Sequence, residues 1–164
     1  MKRSIALIAG LVLLDLAVKT AVLSATPFPL ELWGPHRRIY PGFMRIAAVT
    51  GFFDIILVWN TGISFSFLSG DTQAMRWLLI AVSLAVTAVI FRFMGREETR
   101  LGRTGYAFVI AGALGNVVDR VRYGAVVDFL DFHAGSLHWP AFNVADMLIC
   151  LGVALLLLPR GAGK

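Results

Sequence analysis

Three carboxylates dominate the chemistry open to this chain: Asp119, Asp128 and Asp146. Each sits against an apolar run, where a carboxylate is out of place. Asn116 stands three residues before Asp119, Asn143 three before Asp146, and Arg120 directly after Asp119. Two carboxyl groups held close cannot both ionise easily, because repulsion and desolvation raise one pKa. The ionised partner can then take a proton from water while the protonated one donates to a carbonyl, as in two-aspartate hydrolysis. Other chemistries find little support. There is no His-Glu-x-x-His and no Gly-x-Ser-x-Gly, and His36, His133 and His138 lack zinc spacing, so no metal and no cofactor is expected. Ser24 lies five residues from Lys19, on a different helix face, which disfavours a Ser–Lys dyad. Cys150 falls deep in an apolar run and reads as inert packing.

Each polar group also has a purely structural reading. Asp15 and Lys19 are four apart, acid first, the favourable order for a helical ion pair; they either neutralise each other or buttress a site. Gly112, Gly115, Asn116 and Asp119 fall at spacings that share one helix face, and small residues there let a second helix approach. Asn143 followed by Asp146 has the pattern of a capping box, with an acid at the positive end of a helix. Asp128 and Asp131 sit among Val126, Val127, Phe129, Leu130 and Phe132, which suits a segment at a membrane interface. Asn60-Thr61-Gly62 is a turn signal that leads into a run ending at Phe67. Spacing alone does not decide which two of the three acids form a pair.

Composition sets the frame that must hold these residues. Of 164 residues, 58% are hydrophobic and 15% charged, against about 25% charged in soluble domains. That excludes disorder and an ordinary soluble enzyme, and points to a membrane protein. Four apolar stretches, 4–24, 75–94, 105–118 and 141–158, read as spans of a single membrane domain. The third and fourth are short against the roughly 20 residues a spanning helix needs. The first reads as a retained span and not a signal peptide, because Asp15 and Lys19 lie inside it. The net charge of +5 comes largely from basic groups at the start, in the 95–103 turn and at the end. That distribution places both termini and the turn in the cytoplasm, and does not suggest nucleic acid. The segment 25–74 becomes a strand-rich outer cap and 119–140 a second outer loop. The expected fold is an all-α membrane protein: four transmembrane helices with a small strand-rich extracytoplasmic subdomain. The acids then gather at the outer side.

A rival reading is a small transporter or proton-relay protein using Asp15, Lys19 and Asp119. It needs essential acids at mid-span depth, whereas here most stand at outer helix ends.

The run Ala111-Gly112-Ala113-Leu114-Gly115-Asn116-Val117-Val118-Asp119-Arg120, then Val126-Val127-Asp128-Phe129, resembles the signature of lipoprotein signal peptidase, or signal peptidase II. Phe142-Asn143-Val144-Ala145-Asp146, the Asn60-Thr61-Gly62 segment, and Asp15 with Lys19 resemble further motifs of that family, in the same order. The resemblance implies a monomeric aspartyl endopeptidase of the bacterial inner membrane. Its substrate would be a prolipoprotein, cut before a diacylglyceryl-modified cysteine with the acyl chains left in membrane lipid. Its inhibitor would be globomycin. It implies Asp128 and Asp146 as the catalytic pair and Asp119 as a supporting acid. Asn60, Gly62, Asn116, Arg120 and Asn143 match positions that line or support the family's site. Leu16, Ala111 and Met147 depart from the family's usual residues, and the 32–50 segment is longer than usual.

Overall fold

The computed structural model describes residues 1–26, 43–62 and 72–158. Arg37, Arg38, residues 63–67 of the turn motif and Pro159-Arg160 lie outside them. The described residues form four helices, α1 (Lys2–Ser24), α2 (Thr72–Arg96), α3 (Arg100–Tyr123) and α4 (Val144–Leu157). They also form four strands, β1 (Phe43–Ala48), β2 (Phe53–Asn60), β3 (Val126–Ala134) and β4 (Leu137–His138). They form one antiparallel sheet in the order β1-β2-β3-β4.

Helices α1 and α2 are long and apolar enough to cross a membrane, each with mean hydropathy 2.2. Their burial is inverted relative to a water-soluble fold. Leu13 and Leu14 face outward, as do Trp77, Val82 and Val89 of α2, while Asp15 and Lys19 are buried. That arrangement suits an apolar surrounding, where charge must face the protein interior.

Helix α3 is the hub and packs against α1, α2 and α4. It extends beyond the apolar run 105–118 at both ends. Thr99 caps its start by accepting from the Gly102 N–H at 3.0 Å. Gly124, with φ +82°, ends it by returning its N–H to the Arg120 carbonyl. Polar residues in the last turns hide the helix from a hydropathy reading but do not break it. Gly112 brings α3 against α4: a side chain there would strike the Ala145 backbone. Gly105 and Gly152 repeat the close approach against each other, about two turns away on each helix.

Helix α4 starts later than the apolar run 141–158. Phe142 instead exchanges backbone hydrogen bonds with Leu130 at 2.9 and 3.2 Å, which holds residues 141–143 extended on β3. Cys150, expected to be packed inside, is exposed. The face of α4 that carries Ala145, Leu148 and Gly152 meets the body, so Cys150 turns outward.

The sheet is not built from the 25–74 segment alone. Its β1–β2 half comes from that segment, and its β3–β4 half from the stretch after α3. Pairing β2 with β3 sets Val58 opposite Asp128 and Asn60 opposite Val126. One apolar cluster (Ile8, Met94, Ile110 and Leu148) fills the helical body; another (Leu23, Leu57, Val127 and Phe129) joins the sheet to α1. Val144 packs against both, at the start of α4. The acids meet at this level.

Candidate active site

Asn143 is the residue on which the site turns. It caps α4: its Oδ1 accepts from the Asp146 N–H at 3.1 Å, and Asp146 Oδ2 accepts from the Asn143 N–H at 3.2 Å. The capping box expected from spacing is therefore present. The same side chain turns its amide to Asp128 Oδ1 at 2.6 Å and to Asn116 Oδ1 at 3.2 Å. Asn116 in turn donates to Asp146 Oδ1 at 2.9 Å. Asp128 and Asp146 are thus joined through two side-chain amides, Asn143 and Asn116.

Asn60 closes the other side. Its Nδ2 donates to Asp128 Oδ2 at 2.8 Å, while its Oδ1 accepts from the Gly62 N–H at 2.8 Å. Gly62 has φ +78°, which L side chains rarely adopt, so glycine shapes the turn that fixes the Asn60 amide. Both Asp128 oxygens therefore receive an amide. Burial pushes the Asp128 carboxyl up to about 6; the Asn60 and Asn143 amides act against that rise, and the charge of Asp146 adds to it. Asp128 lines a cleft of about 240 Å³ with Val58, Trp59, Thr61 and Pro140 among its walls. Val58, Trp59 and Pro140 carry no motif, and only the folded sheet identifies them.

Beneath the acids lies a second, fully buried layer. Lys19 Nζ is 2.8 Å from both Asp15 and Asp119, and it donates to Asn116 Oδ1 at 3.1 Å. Asp15 accepts from the Ala145 N–H at 2.9 Å, satisfying a donor at the α4 N-terminus. Asp119 accepts from the Val127 N–H at 3.1 Å and ties α3 to β3. Asp119 is thus engaged by Lys19 and the β3 backbone, and no hydrogen bond among the described residues joins it to Asp128 or Asp146. Arg120 donates to the Asn116 carbonyl at 3.4 Å and lies within electrostatic reach of Asp128, Asp146 and Asp119.

A separate ionic group in the sheet was not singled out from sequence. Asp54 and Asp131 face each other across β2 and β3. Arg45 pairs with Asp54 at 2.8 Å and His138 with Asp131 at 2.8 Å, with His133 3.4 Å from Asp54. One ligand atom each from Asp54, Asp131 and His133 lies within 4.8 Å of the others, a spacing a cation could use. Arg45 already meets the Asp54 charge, and the His138 ring already contacts Asp131. The available signal was Asp131 and His133 two apart on one strand face, but the partner on β2 is not local.

A family model described as signal peptidase (SPase) II matches residues 7–160. The lipoprotein signal peptidase of Azoarcus sp. (strain BH72) is 48% identical over 122 residues, covering 73% of this chain and 69% of that protein. That of Vibrio parahaemolyticus serotype O3:K6 (strain RIMD 2210633) is 43% identical over 119 residues, covering 71% and 70%. A solved structure described as a bacterial membrane enzyme, determined by the in meso method at 1.9 Å resolution, superposes with TM-score 0.76. It covers 100% of this chain and 96% of its own at 23% identity, a likeness of fold. A family match across nearly the whole sequence, carried by relatives above 40% identity, shows that this chain belongs to the signal peptidase II family.

Proposed function

We propose that this peptidase cleaves prolipoproteins with Asp128 and Asp146 as its catalytic pair. The observation that carries the reading is the amide bridge: Asn143 bonds Asp128, and Asn116 bonds both Asn143 and Asp146. Such a bridge holds two acids in fixed relation without neutralising either. In the proposed reaction Asp146 takes a proton from water, and the water oxygen attacks the scissile carbonyl. Asp128, the acid whose pKa burial has raised to about 6, donates its proton to the carbonyl oxygen. The tetrahedral intermediate collapses when a proton passes to the leaving amine. Asn60, Asn116, Asn143 and Arg120 orient the pair and the substrate backbone. Asp15, Lys19 and Asp119 hold Asn116 from below.

Four helices span the bacterial inner membrane in this reading, with both termini in the cytoplasm and the acids at the outer face. Support comes from the outward apolar faces of α1 and α2 and from the basic turn between α2 and α3. The substrate carries a diacylglyceryl-modified cysteine, and its acyl chains stay in lipid beside the cleft. The chain acts as a monomer and is blocked by globomycin. The transporter reading loses ground because Lys19 is already held in ion pairs by both Asp15 and Asp119.

The test is direct. Purified protein in detergent is given a precursor peptide with and without the diacylglyceryl group. Cleavage only of the lipid-modified form, stopped by globomycin, supports the reading. Equal cleavage of both forms rejects the substrate class.

A further inference from the structure

Helices α1 and α3 both start at the end of the body remote from the acids. Arg100 and Asp119 are nineteen residues apart on α3, which is about 28 Å along a helix and close to the roughly 30 Å of a hydrocarbon core. Between the two helix starts lies a cavity of about 490 Å³. Its lining includes Lys2, Arg3 and Leu7 of α1, and Arg100, Arg103 and Thr104 of α3. Among the described residues no acid lines it, and neither helix has an acid in its first turn.

The described lining is a concentration of positive charge. Helix N-termini are themselves positive, so cations there are unfavourable unless an anion joins them. None of Lys2, Arg3, Arg100 and Arg103 has an ion-pair partner among the described residues. Arg103 is held in place, since its Nε donates to the Glu97 carbonyl at 2.6 Å. The Glu97 carboxylate accepts from the N–H and hydroxyl of Thr99, and it does not line the cavity. A general excess of basic residues on one membrane face would need no cavity and no convergence of two helices.

The apolar surroundings select the source of the anion. Leu7, at the cavity wall, is exposed, and so is Leu14, two turns along the same stripe of α1. We propose that the cavity holds the phosphate headgroup of an anionic phospholipid. Arg100 and Arg103 take the phosphate, Lys2 and Arg3 close over it from α1, and an acyl chain runs along Leu7 and Leu14. Basic pockets between membrane helices suit such headgroups. The inference does not depend on the roles of Asp128 and Asp146.

The full chain, delipidated in detergent, is titrated with phosphatidylglycerol, phosphatidylcholine or inorganic phosphate, and bound species are counted by native mass spectrometry. Phosphatidylglycerol is expected to bind about tenfold more tightly than phosphatidylcholine. R100Q/R103Q should abolish that preference, while R92Q/R96Q, which removes equal charge from α2 outside the cavity, should keep it. If R100Q/R103Q fails to insert, K2Q/R3Q is read in its place. Equal loss in R92Q/R96Q would reduce the effect to general electrostatics and overturn the site. So would the absence of any preference in the parent, or binding of inorganic phosphate as tight as that of the lipid.

Discussion

Asn143 donates its side-chain amide to Asp128 at 2.6 Å while the oxygen of the same amide caps α4 above Asp146. One residue thus sets the start of a helix and the position of an acid on a strand fifteen residues earlier. These duties are separable. A serine can cap a helix about as well as asparagine, but it has no amide to reach Asp128. Asn143→Ser should keep α4 capped, cost about 1–3 kcal/mol for the buried amide bonds lost, and lower kcat about a hundredfold. Parallel melting and turnover measurements check this; a variant with full activity would show that the bridge is only structural.

Among the described residues Lys19 is the single cation paired with Asp15 and Asp119, all three buried. Lys19→Met strands two carboxylates and should cost about 3–5 kcal/mol. Adding Asp119→Asn removes one stranded charge, so the double variant should be more stable than Lys19→Met alone. A double-mutant cycle of unfolding measures the coupling. Additive losses would mean that the two side chains do not share a charge network.

Gly62 stands in the left-handed region and gives its N–H to Asn60 Oδ1. Gly62→Val cannot hold that backbone without strain. The Asn60 amide should then swing from Asp128, lowering kcat about tenfold or more with little change in KM. Steady-state kinetics on a lipid-modified precursor decide it; a loss confined to KM would assign Gly62 to binding instead.

The carboxyl of Asp128 titrates at about 6 in the folded protein against 3.8 when unperturbed. The folded state therefore binds this proton more tightly than the unfolded state does. Stability falls as pH rises from about 4 to about 6, by up to about 3 kcal/mol, and is flat above. Asp128→Asn should remove that slope. In kcat/KM, which reports the free enzyme, the reading predicts an alkaline limb with an apparent pKa near 6 that belongs to the coupled pair. Melting temperatures of parent and variant across this range test the first point, and a pH–rate profile of the parent tests the second.

Much of this was legible in the residues, and the gaps have physical causes. The capping box of Asn143 and Asp146, the Asp15–Lys19 pair and the glycine face of α3 are local patterns, fixed by helical spacing. The proposed division of labour between Asp119 and Asp128 is not local. It depends on Lys19 reaching Asp119 from a different helix, and spacing along one helix cannot carry that. The full length of α3 was hidden because Arg100, Arg103, Asp119 and Arg120 lower its hydropathy while leaving its backbone helical. The shared sheet was hidden because β2 and β3 pair across more than sixty residues of chain, with α2 and α3 between them. Cys150 turned outward because α4 buries only the face that meets α3.

The most direct test of the central claim is cleavage of a diacylglyceryl-modified precursor by Asp128→Asn and Asp146→Asn, each purified and shown to melt cooperatively. Both should lose at least about a thousandfold in kcat, while Asp131→Asn, on the same strand but outside the amide bridge, stays within tenfold of the parent. Turnover near the parent level in either of the first two variants would contradict the assignment.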